Sequence, residues 1–169
     1  MIKTFNRIPA NVPVMLDANI IIYALFPQVT QHESCKKLLE RGARGEIQPH
    51  LVVNSAADVI HRAMVLELMT QGGFQKSAEA VLHLKNNPET VQSLTRYKLI
   101  LPDLKQARIN ILPLTYRDLH NSRQFRDDYG LMTNDSIIVA VMKREKIQHL
   151  ATNDTDFAQI AGIAVRIPG

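Results

Sequence analysis

Apolar runs that end on acidic residues punctuate this chain. Val14-Met15-Leu16 leads directly into Asp17-Ala18-Asn19, and Leu150-Ala151 leads into Thr152-Asn153-Asp154-Thr155-Asp156. A third acidic tripeptide, Thr133-Asn134-Asp135, opens a strongly apolar stretch from Ser136 to Lys146. Short apolar runs separated by segments of helical periodicity indicate buried parallel strands alternating with helices. In an open α/β sheet the carboxyl ends of such strands face one crevice, so acids far apart in sequence become neighbours there. Carboxylates crowded in this way repel one another, and a hard divalent cation such as Mg2+ or Mn2+ relieves the repulsion. Asp17 is the most demanding of them. Flanked by Val14-Met15-Leu16 and Ile20-Ile21-Ile22, it would be costly to bury without a partner or a metal. Asp135 also has a local use at a helix start, where it complements the macrodipole, and Asp154 and Asp156 fit turn positions before a short helical segment. The three signatures together favour a shared acidic site.

The pattern predicts strands at Pro13–Leu16, 47–53, 110–114, 149–152 and Ala164–Ile167. Helices are expected at 19–25, 31–44, from Asn54 or Ser55 as cap to about Thr70, 115–126, and 136–146 with Thr133 or Asn134 as cap. Residues 74–109 read as two further helices broken near Asn86-Asn87-Pro88, where Pro88 can take the first helical position. This order predicts an α/β chain with a mostly parallel sheet and helices on both faces. Val59, Ala63, Leu66 and Met69 are expected to face inward, and Glu67, nine residues beyond Asp58, to lie on the surface. His61 shares a helix face with Asp58 and could orient it or reach a metal, although a lone histidine is more often structural.

At 169 residues, 46% of them apolar, the chain is expected to form one domain over 1–169. The single Cys35 excludes an internal disulfide, and no cysteine and histidine spacing resembles a zinc site. The first nine residues lack the apolar core of a signal peptide, and the most apolar stretch, 12–26, is too short to span a bilayer. A cytoplasmic protein is therefore expected. The net charge of +4 modestly favours a polyanionic partner.

In combination and in order, Leu16-Asp17-Ala18-Asn19-Ile20-Ile21-Ile22-Tyr23-Ala24-Leu25, Leu131-Met132-Thr133-Asn134-Asp135-Ser136-Ile137-Ile138-Val139-Ala140 and Leu150-Ala151-Thr152-Asn153-Asp154-Thr155-Asp156-Phe157 resemble the motifs of PIN-domain ribonucleases. Among these the chain is most similar to VapC-type toxins. The resemblance runs the length of the chain, and only 74–109 match loosely. It implies a three-layer α/β/α fold and a Mg2+- or Mn2+-dependent endoribonuclease acting on RNA, a homodimer, and, for a toxin, an antitoxin protein as partner. Asp17, Asp135 and Asp154 match the family's metal-site acids. The fourth acid, normally Glu on the helix after the second strand, is matched by Asp58, one methylene shorter. Asn19, Asn134, Ser136 and Thr152 are candidate hydrogen-bonding supports, though caps or turns explain them as well. The Asp58 departure leaves a second reading, an RNA-binding module of the same fold with weak or no catalysis. An aspartyl phosphatase of the haloacid-dehalogenase type would want a second Asp where Asn19 stands.

Overall fold

The computed structural model describes residues 2–169; Met1 lies outside them. Its frame is a six-stranded sheet built from β1 (Lys3–Thr4), β2 (Pro13–Leu16), β3 (Gln48–Val52), β4 (Asn110–Leu112), β5 (His149–Ala151) and β6 (Ala164–Ile167), in the order β1-β6-β5-β2-β3-β4. Every pairing is parallel. β2 sits centrally between β3 and β5, so the chain leaves it toward β3 on one side and returns to β5 on the other. The crevice at the carboxyl ends of β2 and β5 is thus a topological switch point, where an open α/β sheet takes its ligands.

The sheet is covered on both faces. Along β2, Val14 and Leu16 pack into one apolar cluster, while Met15 points into the other; all three are fully buried. The first cluster joins α1 (Ala18–Leu25), α2 (His32–Ala43) and α3 (Val53–Gln71) to the sheet. The second is dominated by Ile137 to Met142 of α8 (Thr133–Arg144), which packs against α7 (Tyr116–Tyr129). Residues 74–109 contribute α4 (Ser77–Asn86), α5 (Pro88–Ser93) with Pro88 at its start, a 3-10 turn at Arg96–Leu99, and α6 (Ile100–Gln106). That is one helix more than the sequence pattern predicts.

α3 has 19 residues and is therefore about 28 Å long, which carries it past the sheet. Its far half packs Val65 and Leu68 against Ala80, Leu84 and Leu94. Glu67, expected on the surface, is buried instead, with 5% of its area exposed. Its carboxylate accepts from Thr95 N (2.9 Å), Thr95 Oγ1 (3.1 Å) and Arg96 N (2.8 Å). The acid thus caps the 3-10 turn across a gap in sequence that helical periodicity cannot register.

Two expected caps also differ. α3 begins directly at Val53, with Val52 as a cap lacking any side-chain bond, so Asn54 and Ser55 lie inside the first turn. α8 is capped by the backbone of Met132, not by Thr133 or Asn134. In both cases the cap position falls one or more residues before the polar side chains, so none of them occupies it. Thr115 does cap α7, in a reciprocal pair with Asp118, and Gly130 ends that helix in the left-handed conformation at φ 67°. At Gly42 a Cβ would stand 2.8 Å from Pro49 Cγ and 3.0 Å from Ala107 O, so only glycine lets α2 approach β3 this closely. The first strand, Lys3–Thr4, has no apolar pattern to announce it and exists because β6 offers an open edge. Cys35 is fully buried, which pushes its thiol up to about 12, and it serves as a packing residue.

Candidate metal centre

Four acids reach the crevice by four routes. Asp17 follows β2 and caps α1, accepting from Asn19 N at 3.4 Å. Asp58 stands in the second turn of α3, which starts as β3 ends. Asp135 is the third residue of α8, and Asp154 lies in the loop after β5. Asp17, Asp58, Asp135 and Asp154 line one cavity of about 150 Å³, whose walls include Ala18, Ser55 and Ile138.

Asp17 is the most firmly held. Its Oδ2 accepts from Asn19 Nδ2 at 3.1 Å and from Thr152 Oγ1 at 2.8 Å, a residue 135 positions away. Thr152 is fully buried, and its hydroxyl also accepts from Asp154 N at 3.0 Å. One threonine therefore ties the loop after β5 to the acid after β2. Asp154 Oδ1 in turn accepts from Asp156 N at 2.8 Å, the turn geometry expected of that segment, and a 3-10 helix follows at Asp156–Gln159.

The electrostatics is that of crowded negative charge, four carboxylates against the single guanidinium of Arg62. Burial, and after it the carboxylates of Asp17, Asp154 and Asp156, pushes Asp135 up to about 6 from 3.8. A position near a helix N-terminus would pull the other way, so crowding and desolvation win here. Among the described residues no three His, Cys, Asp or Glu side chains converge closely enough to hold one ion together. An ion in this cavity would take one or two carboxylates directly and reach the rest through water, which suits Mg2+ and its reluctance to dehydrate.

A family model described as the PIN domain matches residues 14–163. The chain belongs to the PIN-domain family. This PIN domain is 23% identical to Ribonuclease VapC6 of Methanocaldococcus jannaschii over 165 residues, 93% of this chain and 97% of that relative. Its fold is similar to that of VapBC2 from Rickettsia felis, solved bound to a DNA fragment from its promoter, at a TM-score of 0.56 and 16% identity, covering 92% of this chain and 98% of the other. The Mycobacterium tuberculosis toxin VapC20, described as cleaving the sarcin-ricin loop, matches with a TM-score of 0.56 and 13% identity over 90% and 98% of the two chains.

Of the supporting polar residues expected from sequence, Asn19 and Thr152 bond Asp17 as described. Asn134 lines the cavity and meets Asn54 Nδ2 at 3.5 Å. Ser136 turns away, accepting from Arg126 Nη1 at 2.9 Å and donating to Thr133 O at 2.8 Å, where it braces the first turn of α8 against α7. His61 does not reach the PIN-domain cavity. It is exposed and lines a separate groove with Val65, Leu66, Ser77 and Val81. The side chain one turn beyond Asp58 that does line the acidic cavity is Arg62, which donates from Nη1 to Asn19 Oδ1 at 2.5 Å. Its spacing of four residues from Asp58 was the available signal.

Proposed function

We propose that this PIN domain is a Mg2+- or Mn2+-dependent endoribonuclease, acting as one unit over 1–169. The observation that carries this reading is the convergence of Asp17, Asp58, Asp135 and Asp154, from four segments, on one small cavity at the switch point of a parallel sheet. The names of its relatives, a ribonuclease and a loop-cleaving toxin, support RNA as substrate.

Asp17 and Asp135 would hold the ion, with Asp154 and Asp58 completing its surroundings directly or through water. Bound there, the cation would supply an activated water and offset charge on the phosphoryl and leaving oxygens. The chain's own contribution is rigidity. Thr152 and Asn19 hold Asp17 in one orientation, the Arg126–Ser136 brace holds the turn bearing Asp135, and the apolar wall at Ile138 limits bulk water. Partly protonated Asp135 can release its proton on meeting the ion, which couples loading of the site to pH.

The toxin of a toxin–antitoxin pair, a homodimer working in the cytoplasm, is the biological setting that fits the VapC-like relatives, with an antitoxin protein as partner. Among the described residues no helix is long and apolar enough to cross a membrane. The second reading, an RNA-binding PIN module with weak catalysis, is favoured by one observation: Asp58, already short for its role, faces Arg62 at 3.9 Å. Incubation of a mixed RNA pool with Mn2+, with EDTA, and with the Asp17→Asn variant decides between them. Cleavage that needs both Mn2+ and Asp17 supports the nuclease; binding without cleavage supports the module; cleavage unchanged in Asp17→Asn refutes this assignment of the site.

A further inference from the structure

We propose that Arg62 is a phosphate-binding residue built into the acidic cavity, which clamps the RNA phosphodiester beside the carboxylates. The inference rests on the ribonuclease reading and adds to it a positive contact for the substrate.

The first argument is charge. Four carboxylates line the cavity, and one dication neutralises only half of their formal charge, so a phosphodiester approaching the loaded site would still meet a negative surface. A guanidinium inside the same cavity offsets that repulsion at short range, where solvent screening is weakest. Among the described residues, Arg62 is the only basic side chain lining it.

The second argument is geometry. An arginine four residues beyond an aspartate on a helix would ordinarily spend its guanidinium on that partner. Here the approach to Asp58 Oδ2 is 3.9 Å, too long for a hydrogen bond, and both side chains are about a third exposed, at 35% and 39%. Within the described chain Arg62 makes one hydrogen bond, from Nη1 to Asn19 Oδ1 at 2.5 Å. Asn19 is itself fixed by Asp17, to which its side-chain amide donates at 3.1 Å. Arg62 is therefore oriented through one donor, and the rest of its five N–H groups remain for a ligand. A planar, oriented guanidinium with spare donors is matched to two oxygens of a phosphate.

The third argument is position. Arg62 also lines the neighbouring groove between α3 and α4 with His61, Val65, Leu66, Ser77 and Val81. It stands where an RNA strand would pass from the acidic cavity onto that groove.

The test is fluorescence anisotropy with a labelled single-stranded RNA of mixed sequence, with Ca2+ replacing Mg2+ to suppress hydrolysis, across a salt series. Each lost contact on a single strand should reduce the slope of log K against log salt by about 0.7. We expect that reduction for Arg62→Gln, recovery of the slope in Arg62→Lys, and an unchanged slope in Asn19→Ala, which removes the brace but leaves the charge. Mn2+ affinity, measured by calorimetry without RNA, should be unchanged or higher in Arg62→Gln. Cleavage by Arg62→Gln should fall about a hundredfold, the lower range for losing one oriented donor at a reacting centre, with Arg62→Lys recovering binding more than rate.

An unaltered salt slope in folded Arg62→Gln, alongside Asp17-dependent cleavage by the wild type, overturns the role of Arg62 and leaves the nuclease standing. Equal loss of Mn2+ affinity in Arg62→Gln and Asn19→Ala, with no change in slope, also overturns it by making Arg62 a structural brace. A wild type that neither binds nor cuts RNA overturns both readings.

Discussion

If the acidic cavity is a metal site, metal-free and metal-loaded protein should respond to pH in opposite directions, and Asp135 sets the interval. Its carboxyl is pushed up to about 6 from an ordinary 3.8 by burial and then by Asp17, Asp154 and Asp156. The folded chain therefore holds this proton more tightly than the unfolded chain does. The associated stability is fully present below about 3.8 and is lost as pH rises through about 6. Felt in full, that gap is worth about 3 kcal/mol; Asp135 is only half-buried, so screening reduces it to about 1 to 1.5 kcal/mol. For a chain of this length each kcal/mol moves Tm by about 2–4 °C. About half of that remains at pH 5 and almost none at pH 7.5, so metal-free protein should melt about 1–3 °C higher at pH 5 than at pH 7.5 through this group. Mn2+ needs the ionised carboxylate, whose fraction falls from about nine tenths at pH 7 to about one tenth at pH 5, so Mn2+ affinity should drop about tenfold over the same interval. Thermal melts with and without Mn2+ from pH 5 to 7.5, on wild type and Asp135→Asn, measure both effects. The variant should melt higher than wild type at pH 7.5 without metal, lose that difference by pH 5, and show no Mn2+ gain. A Mn2+ gain in Asp135→Asn as large as in wild type would refute the reasoning, as would pH dependence of metal-free melting that is identical in the two proteins.

Two further outcomes follow from single side chains. On the proposed assignment, Asp58 retracts its oxygens by about one carbon–carbon bond, roughly 1.5 Å, relative to a Glu at the same position; Asp58→Ala should therefore impair cleavage less than Asp17→Asn, and Asp58→Glu should keep or raise Mn2+ affinity by calorimetry. Loss of all Mn2+ binding in a folded Asp58→Glu would mean that the short side chain is itself a direct ligand. Glu67→Gln should cost about 1–3 kcal/mol in urea unfolding, because a charged acceptor of three bonds becomes a neutral one, while Mn2+ affinity stays unchanged. A stability equal to wild type would show that residues 74–109 are anchored by their apolar contacts alone.

The sequence alone determined the character of the site and most of the elements around it. Val14-Met15-Leu16 could be read as a strand because both of its faces are buried, which removes polar alternation, and Asp17 could be singled out because a charge beside that run needs compensation. Asp135 and Asp154 were legible for the same local reason, each standing where an apolar pattern starts or stops. α7 was bounded by Thr115 and Gly130, whose cap and left-handed turn depend on their immediate neighbours. Only the tertiary structure decided the strand order that gathers these acids, the Thr152 hydroxyl that locks Asp17 from across the sheet, and the direction in which α3 points its side chains. Glu67 and Arg62 show why. On a helix surface both are charged residues of a kind that local pattern assigns to solvent, and what separates them from the rest is a partner brought close by the chain's path: Thr95 and Arg96 for one, Asn19 for the other. Periodicity reports which face of an element avoids water; it carries no information about which distant segment will satisfy a buried carboxylate or orient a guanidinium, because those energies exist only once the sheet has assembled.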